Sequence, residues 1–164
     1  MWSVFLPVVF MVGLSLTVLV RVALVRSKEI RANPQLLHDA ALDNRLYAED
    51  SRKHAANLTN LFELPVLFYV AAVFAILFGA TNFWTGLLSW TFVLARIAHT
   101  TVHVTANVVM VRFAAFAVSL LALILLWLTV IFEAGDSLVF SIDEIEQQRE
   151  RMMEQGLTPV IVPN

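Results

Sequence analysis

Four side chains that can bind anions or donate hydrogen bonds recur at helical spacing within one apolar stretch of the chain. Arg96, His99, His103 and Asn107 are separated by three, four and four residues, and Arg112 follows them. On an α-helix this spacing places the first four side chains on one face. Arginine and histidine supply positive charge and N–H donors, so the stripe predicts a cationic, hydrogen-bonding site for an anionic ligand.

The surroundings of this stripe are those of a membrane protein. Of the 164 residues, 59% are hydrophobic and 15% are charged, whereas soluble domains have about 25% charged residues. Ionisable groups inside a membrane face a bundle interior or a water-filled cavity, where they are candidates for function. No basic block suggests nucleic acid. Because the chain has no cysteine, any sulfur chemistry must come from a ligand.

The membrane segments that position the stripe can be read from runs of apolar residues, since a span needs about 20 of them. We predict an all-α bundle of four transmembrane helices, with spans at about 2–25, 55–79, 84–108 and 112–133. These form one membrane domain, residues 1–136. An acidic C-terminal tail follows at 137–164 and contains a short helix, for which Ser141 and Glu144 have the spacing of a capping box. Seven of the eleven Lys and Arg residues lie between Arg21 and Lys53, at the end of the first span and in the first loop. The positive-inside rule places this loop in the cytoplasm with both termini outside.

This topology brings polar residues from different spans to the cytoplasmic end of the bundle. Asn60 and Glu63 lie near the start of the second span, and His103 and Arg112 lie near the connection of the third span to the fourth. Arg96 is the deepest cation and requires a partner. Because Glu63 is the only acid in the interior of a predicted span, we predict an Arg96–Glu63 ion pair. Such a pocket would let an anionic, water-soluble ligand meet an apolar ligand from the lipid.

Two sequence blocks resemble the MAPEG family, the membrane-associated proteins of eicosanoid and glutathione metabolism, and most closely its bacterial branch. The blocks are NLFELPVLFY, at 60–69, and RIAHTTVHVTANVVMVRF, at 96–113. The resemblance covers roughly residues 12–126 and includes ANP at 32–34, which is similar to the microsomal prostaglandin E synthase branch. It implies a homotrimer in the bacterial inner membrane, with glutathione bound between neighbouring subunits near the cytosolic face.

The resemblance also implies an activity and roles for individual residues. Glutathione would be the co-substrate of a transferase or peroxidase, and a lipophilic electrophile from the bilayer would be the second substrate. Arg112 would be the catalytic residue, because a fixed guanidinium favours the anionic form of a thiol, whose free pKa is about 8.5. The residues implied to bind glutathione are Asn60, Glu63, His99, His103, Arg26, Arg52 and Lys53.

Several positions differ from the pattern of the family. Ala56 and Thr59 stand where many members carry arginine, and His103 and Phe116 stand in place of tyrosines that line the cleft. Phe113 replaces the small hydroxyl residue that follows the catalytic arginine in the prostaglandin branch. A different thiol, or a different anion, therefore stays open as the ligand.

Two further hypotheses belong to other classes of protein. His99 and His103 are four residues apart and could chelate one metal or haem iron, but Arg96 and Arg112 would repel a cation, and we predict no metal. Alternatively, the protein is not a catalyst and the polar stripe only ties helices together, as buried polar residues in membranes commonly do.

Overall fold

The computed structural model describes residues 2–40 and 43–155, and within these ranges all regular structure is helical. The elements in chain order are α1 (Trp2–Ala32), α2 (Leu36–Asp39), a 3₁₀ helix (Asn44–Leu46), α3 (Glu49–Leu77), α4 (Phe83–Val104) and α5 (Val109–Glu154). The predicted all-α class is confirmed for this part of the chain. The end of the predicted tail, residues 156–164, lies outside the described residues.

The four long helices pack into one bundle, in which α4 contacts α1, α3 and α5. The core between them is apolar: Phe68 of α3 stacks on Phe92 of α4 with ring centroids 4.6 Å apart, and Leu126 of α5 is fully buried. Close approach of α1 to α4 depends on Gly86, since a Cβ atom there would lie 2.9 Å from the Cβ of Ser3. The apolar core holds the end of α4 in place relative to the starts of α3 and α5.

The outer surface of the bundle suits lipid rather than water. Large apolar side chains on all four long helices are exposed, among them Leu16, Val73, Leu94 and Leu121, and a continuous apolar surface of this kind is rare on soluble monomers. Three helices, α1, α3 and α5, are long and apolar enough to cross a membrane. The α4 helix has 22 residues and carries the polar stripe, which lowers its hydropathy. The predicted number of four spans, and the orientation, therefore stay predictions.

The α5 helix continues well beyond the predicted fourth span. We predicted that the span ends near residue 133 and that a separate short helix follows, but α5 is unbroken from Val109 to Glu154. The hydroxyl of Ser141 donates to the carbonyl of Ser137 one turn earlier, so Ser141 lies inside the helix and does not cap it. Gly135 does not end the helix, because glycine costs a helix only about 1 kcal/mol relative to alanine. The separate tail helix was therefore wrong, and no helix break marks the predicted domain boundary at residue 136.

Asn82 joins the start of α4 to α5 at Glu133, where the apolar part of α5 ends. Its Oδ1 accepts the N–H of Thr85 at 3.1 Å, which caps α4. Its Nδ2 donates to Oε1 of Glu133 at 2.7 Å. One side chain therefore satisfies a helix end and links two helices.

Substitutions at Asn82 should separate these two contributions. Serine still caps a helix but cannot reach Glu133, so Asn82→Ser is expected to cost about 1 kcal/mol of stability. Asn82→Ala also removes the cap and is expected to cost about 1 kcal/mol more. The thermal denaturation midpoint of the purified protein in detergent measures both effects. Equal midpoints for the two variants would contradict the capping role.

Candidate functional site

The polar stripe is divided because α4 ends earlier than the sequence suggested. The helix stops at Val104, and Asn107 lies in the connection to α5 with a φ of 50°. Its N–H donates to the carbonyl of Val102 at 2.7 Å. Asparagine adopts this left-handed backbone more readily than most residues. The prediction that Asn107 continues the helical face of Arg96, His99 and His103 was therefore wrong.

Part of the stripe ties α4 to α3. Arg96 is fully buried, and its Nη2 donates to the main-chain carbonyl of Asn60 at 2.7 Å. One turn further along α4, the hydroxyl of Thr100 donates to Oδ1 of Asn57 at 3.3 Å. These two contacts fix the position of α4 along α3.

The predicted Arg96–Glu63 ion pair does not form within the described chain, where the salt bridges lie at the start of α3. Arg96 uses a carbonyl acceptor instead, and Glu63 is exposed on the outer side of α3. The helical rotation explains this, because residues turn by about 100° each. Glu63 is six residues beyond the buried Asn57, so it points about 120° away from it. Glu63 therefore lies outside the buried face of α3 that contacts α4.

A cavity of about 580 Å³ lies at the end of the bundle where α4 ends and α3 and α5 begin. Its volume is in the range of small-molecule sites, about 300–1,000 Å³. The lining residues are Ala56, Thr59, Asn60, His99, His103, Val109, Arg112, Phe113 and Phe116. The structure thus brings four of the predicted site residues, from three helices, around one space.

The two histidines of the cavity wall have free ring nitrogens. Nδ1 of His99 lies 3.0 Å from the main-chain carbonyl of Arg112. A carbonyl can only accept, so Nδ1 carries the proton, and in the neutral ring Nε2 is an acceptor. Within residues 2–40 and 43–155, that Nε2 is buried without a hydrogen-bond partner, and so is Nδ1 of His103. Because buried polar atoms are nearly always satisfied, these atoms indicate a place for a polar ligand.

The permanent charge of the cavity comes from Arg112. Among the described residues that line the cavity, no other side chain is permanently charged. Nη1 of Arg112 donates to Oδ1 of Asn107 at 2.8 Å. Phe113 and Phe116 also line the cavity. Apolar side chains beside a charge lower the local dielectric, which strengthens the attraction of the guanidinium for an anion.

Besides Glu63, three of the predicted glutathione-binding residues lie outside this cavity, namely Arg26, Lys53 and Arg52. Arg26 holds the first loop, because its Nη2 donates to Oδ1 of Asn44 at 2.8 Å and its guanidinium lies 4.6 Å from the centroid of the Tyr47 ring. Lys53 forms a salt bridge with Glu49 at 2.7 Å. Their predicted role in binding a ligand stays a prediction.

Arg52 lines a second, smaller cavity of about 230 Å³ next to the first. The two cavities share Ala56 and Thr59 in their walls. The second cavity also has Arg45, which we did not predict from the sequence. Nothing in the sequence distinguished Arg45 from the other basic residues of the first loop. The two small residues at 56 and 59 therefore connect the histidine-lined cavity to a surface with two arginines.

The metal hypothesis requires more ligands than the two histidines provide. Within residues 2–40 and 43–155, no group of three or more His, Asp or Glu side chains is arranged to hold a metal ion.

Fold and site together define the class as a helical membrane protein with a cationic, histidine-lined cavity at one end of its bundle. The sequence model of the MAPEG family matches residues 4–132. The chain therefore belongs to the MAPEG family, and the resemblance predicted from the sequence is confirmed. This family includes glutathione-dependent transferases and peroxidases, and membership together with the apolar helices makes the chain an integral membrane protein. Comparisons with curated proteins and with solved structures found no match.

Proposed function

We propose that the protein is a glutathione-dependent transferase and peroxidase of the bacterial branch of this family, acting on lipophilic electrophiles. The observation that carries the proposal is the cavity that Arg112, His99 and His103 share with two phenylalanines. It combines a permanent cation, unpartnered ring nitrogens and an apolar wall, which are the features that a thiolate and an apolar co-substrate require.

Activation of the thiol follows from the two groups on either side of it. Nε2 of His99 is an acceptor for the thiol proton, and the guanidinium of Arg112 stabilises the sulfur anion. The low dielectric beside Phe113 and Phe116 makes this charge stabilisation stronger than it would be in water. Asn60 and His103 would bind polar groups of the same ligand.

The second substrate would enter from the bilayer past exposed apolar residues at the edge of the cavity, Val109 and Phe113. In conjugation, an electron pair of sulfur forms the S–C bond, and the leaving group departs with the electrons of its broken bond. In hydroperoxide reduction, sulfur attacks one oxygen, the O–O bond breaks, and the alkoxide takes a proton. A second thiol then attacks the sulfenic acid, which gives a disulfide and water.

We also propose that α4 crosses the membrane and that three chains complete the site. At 1.5 Å per residue, α4 is about 33 Å long, which matches a hydrocarbon core of about 30 Å. Thr59 lines the cavity, and Glu63 is exposed one turn further along α3, where both would contact a ligand shared with a neighbouring subunit. The first loop and the cavity would face the cytoplasm, with both termini outside.

The purified protein, in detergent and in lipid nanodiscs, tests this proposal directly. We expect turnover of a chlorodinitrobenzene and of a lipid hydroperoxide that saturates with glutathione. Cysteine and mercaptoethanol, used in parallel, identify whether glutathione is the preferred thiol. Absence of turnover with every thiol, together with no thermal stabilisation by any of them, would overturn the proposed activity.

Arg52 is expected to contribute to thiol affinity rather than to chemistry. The second cavity offers its guanidinium to a carboxylate that extends past Ala56 and Thr59. Because Arg52 is exposed, Arg52→Gln should cost about 1 kcal/mol, or roughly a fivefold rise in KM for glutathione, with kcat unchanged. Steady-state kinetics with varied glutathione measure this.

Arg31→Gln is the matched control, since Arg31 is an exposed arginine at the end of α1 outside both polar cavities. An equal rise in KM in both variants would show that only the overall charge of the loop matters.

A further inference from the structure

We propose that Asn107 is a positioning residue that orients the guanidinium of Arg112 while leaving its charge unneutralised. The inference rests on the proposed function, in which that charge stabilises a thiolate. Asn107 does not line the cavity, so we expect it to act only through the guanidinium of Arg112.

The contact is short and joins two different segments. Oδ1 of Asn107 accepts a hydrogen bond from Nη1 of Arg112 at 2.8 Å. Asn107 lies in the α4–α5 connection, whereas Arg112 lies in the first turn of α5. The bond uses one of the five N–H donors of the guanidinium and leaves the remainder of the planar fork for a ligand.

Arg112 is held at its main chain as well. The ring of His99 donates from Nδ1 to the carbonyl of Arg112 at 3.0 Å, so the end of α4 holds the backbone of this residue while Asn107 holds its side chain. A long, flexible side chain that is fixed at both ends loses less conformational freedom when it meets a ligand. Pre-organised donors of this kind stabilise developing charge more effectively than mobile ones.

The choice of an amide over a carboxylate has an electrostatic consequence. Aspartate would hold the guanidinium in the same geometry, but its negative charge would compete with the sulfur anion for Arg112. The amide oxygen is an uncharged acceptor, so the full positive charge stays available. The left-handed backbone at Asn107, with φ of 50°, also suits asparagine, aspartate and glycine better than other residues.

These three residue types give an experiment that separates orientation from charge. The pH profile of kcat and the ultraviolet absorbance of bound glutathione thiolate are measured for the wild type, Asn107→Asp and Asn107→Gly. In Asn107→Asp we expect a raised pKa of the bound thiol, with about tenfold less thiolate at neutral pH, at an unchanged denaturation midpoint. In Asn107→Gly, which keeps the backbone and loses the acceptor, we expect kcat to fall about tenfold at every pH.

Ala106→Asp is the control, because it adds the same charge at an exposed neighbour outside the cavity. A pH profile that moves equally in Ala106→Asp and Asn107→Asp would overturn the proposal, as would an unchanged profile in Asn107→Asp with unchanged kcat in Asn107→Gly.

A readout without thiol keeps this result separate from the proposed activity. If the wild type binds no thiol, the proposed function is wrong, but the role of Asn107 can still be tested. The measurement is then the Nε–H nuclear magnetic resonance signal of Arg112 in ¹⁵N-labelled protein. An ordered signal that is assigned by its loss in Arg112→Met, and that broadens in Asn107→Gly, supports positioning. A signal that Asn107→Gly leaves unchanged overturns it.

Discussion

Replacing Arg112 with methionine is expected to reduce thiol-dependent turnover about 10²–10³-fold, the usual effect of removing one donor that stabilises a developing anion. The reason is that no other described side chain in the cavity lining carries a permanent charge. Methionine retains the length and apolar stem of arginine, so the packing of α5 should be preserved. The measurement is kcat/KM for glutathione with a chlorodinitrobenzene.

Two further variants make this test specific to the site. Arg151→Met removes an arginine from the exposed end of the same helix and should leave turnover unchanged. Arg112→Lys keeps the charge but loses the planar fork, so its activity should lie between those of the wild type and Arg112→Met. Wild-type turnover in Arg112→Met, in protein that elutes as the wild type does on gel filtration, would exclude Arg112 as the thiolate-stabilising residue.

Replacing His99 with asparagine is expected to lower turnover about 10²-fold, at the lower end of the contribution of a general base. The amide nitrogen of asparagine takes the place of Nδ1 and can still donate to the carbonyl of Arg112. The variant has nothing in place of Nε2, which is the proposed acceptor for the thiol proton. It therefore removes the chemistry and retains the structural hydrogen bond.

The result at His99 also decides between a catalytic site and a structural stripe. His38→Asn is the control, since His38 is exposed on α2 and should be neutral. Loss of turnover with an unchanged denaturation midpoint supports the site, whereas loss of the folded protein would assign His99 to helix packing. Because His99 and Arg112 act on the same sulfur, the double variant should be little worse than Arg112→Met alone.

The structure already assigns part of the stripe to helix packing. Arg96 donates to the carbonyl of Asn60 and lies in the lining of neither polar cavity described above, so it matches the alternative in which polar residues hold helices together. His99 and His103 face a cavity with free ring nitrogens. Arg96 therefore ties helices together, while His99 and His103 are the residues of the same helix to which we assign the proposed ligand-binding role.

Local spacing predicted some neighbours and not others. The spacing of Arg96, His99 and His103 correctly placed them on one side of α4, because 3.6 residues per turn keep such positions within one face. Charge alone predicted Glu63 as the partner of Arg96, whereas Glu63 is exposed and six residues beyond the buried Asn57. The spacing argument was wrong for Asn107, because the end of α4 depends on a left-handed backbone conformation that periodicity does not report.

The sequence by itself determined the membrane character, the helical class, the family and four of the nine residues that line the cavity, since these follow from composition, periodicity and local motifs. Only the tertiary structure decided which polar groups bind each other: Arg96 the carbonyl of Asn60, Arg26 the side chain of Asn44, and Asn107 the guanidinium of Arg112. The physical reason is that a long polar side chain can reach many partners, and the packing of the helices determines which partner lies within hydrogen-bond distance.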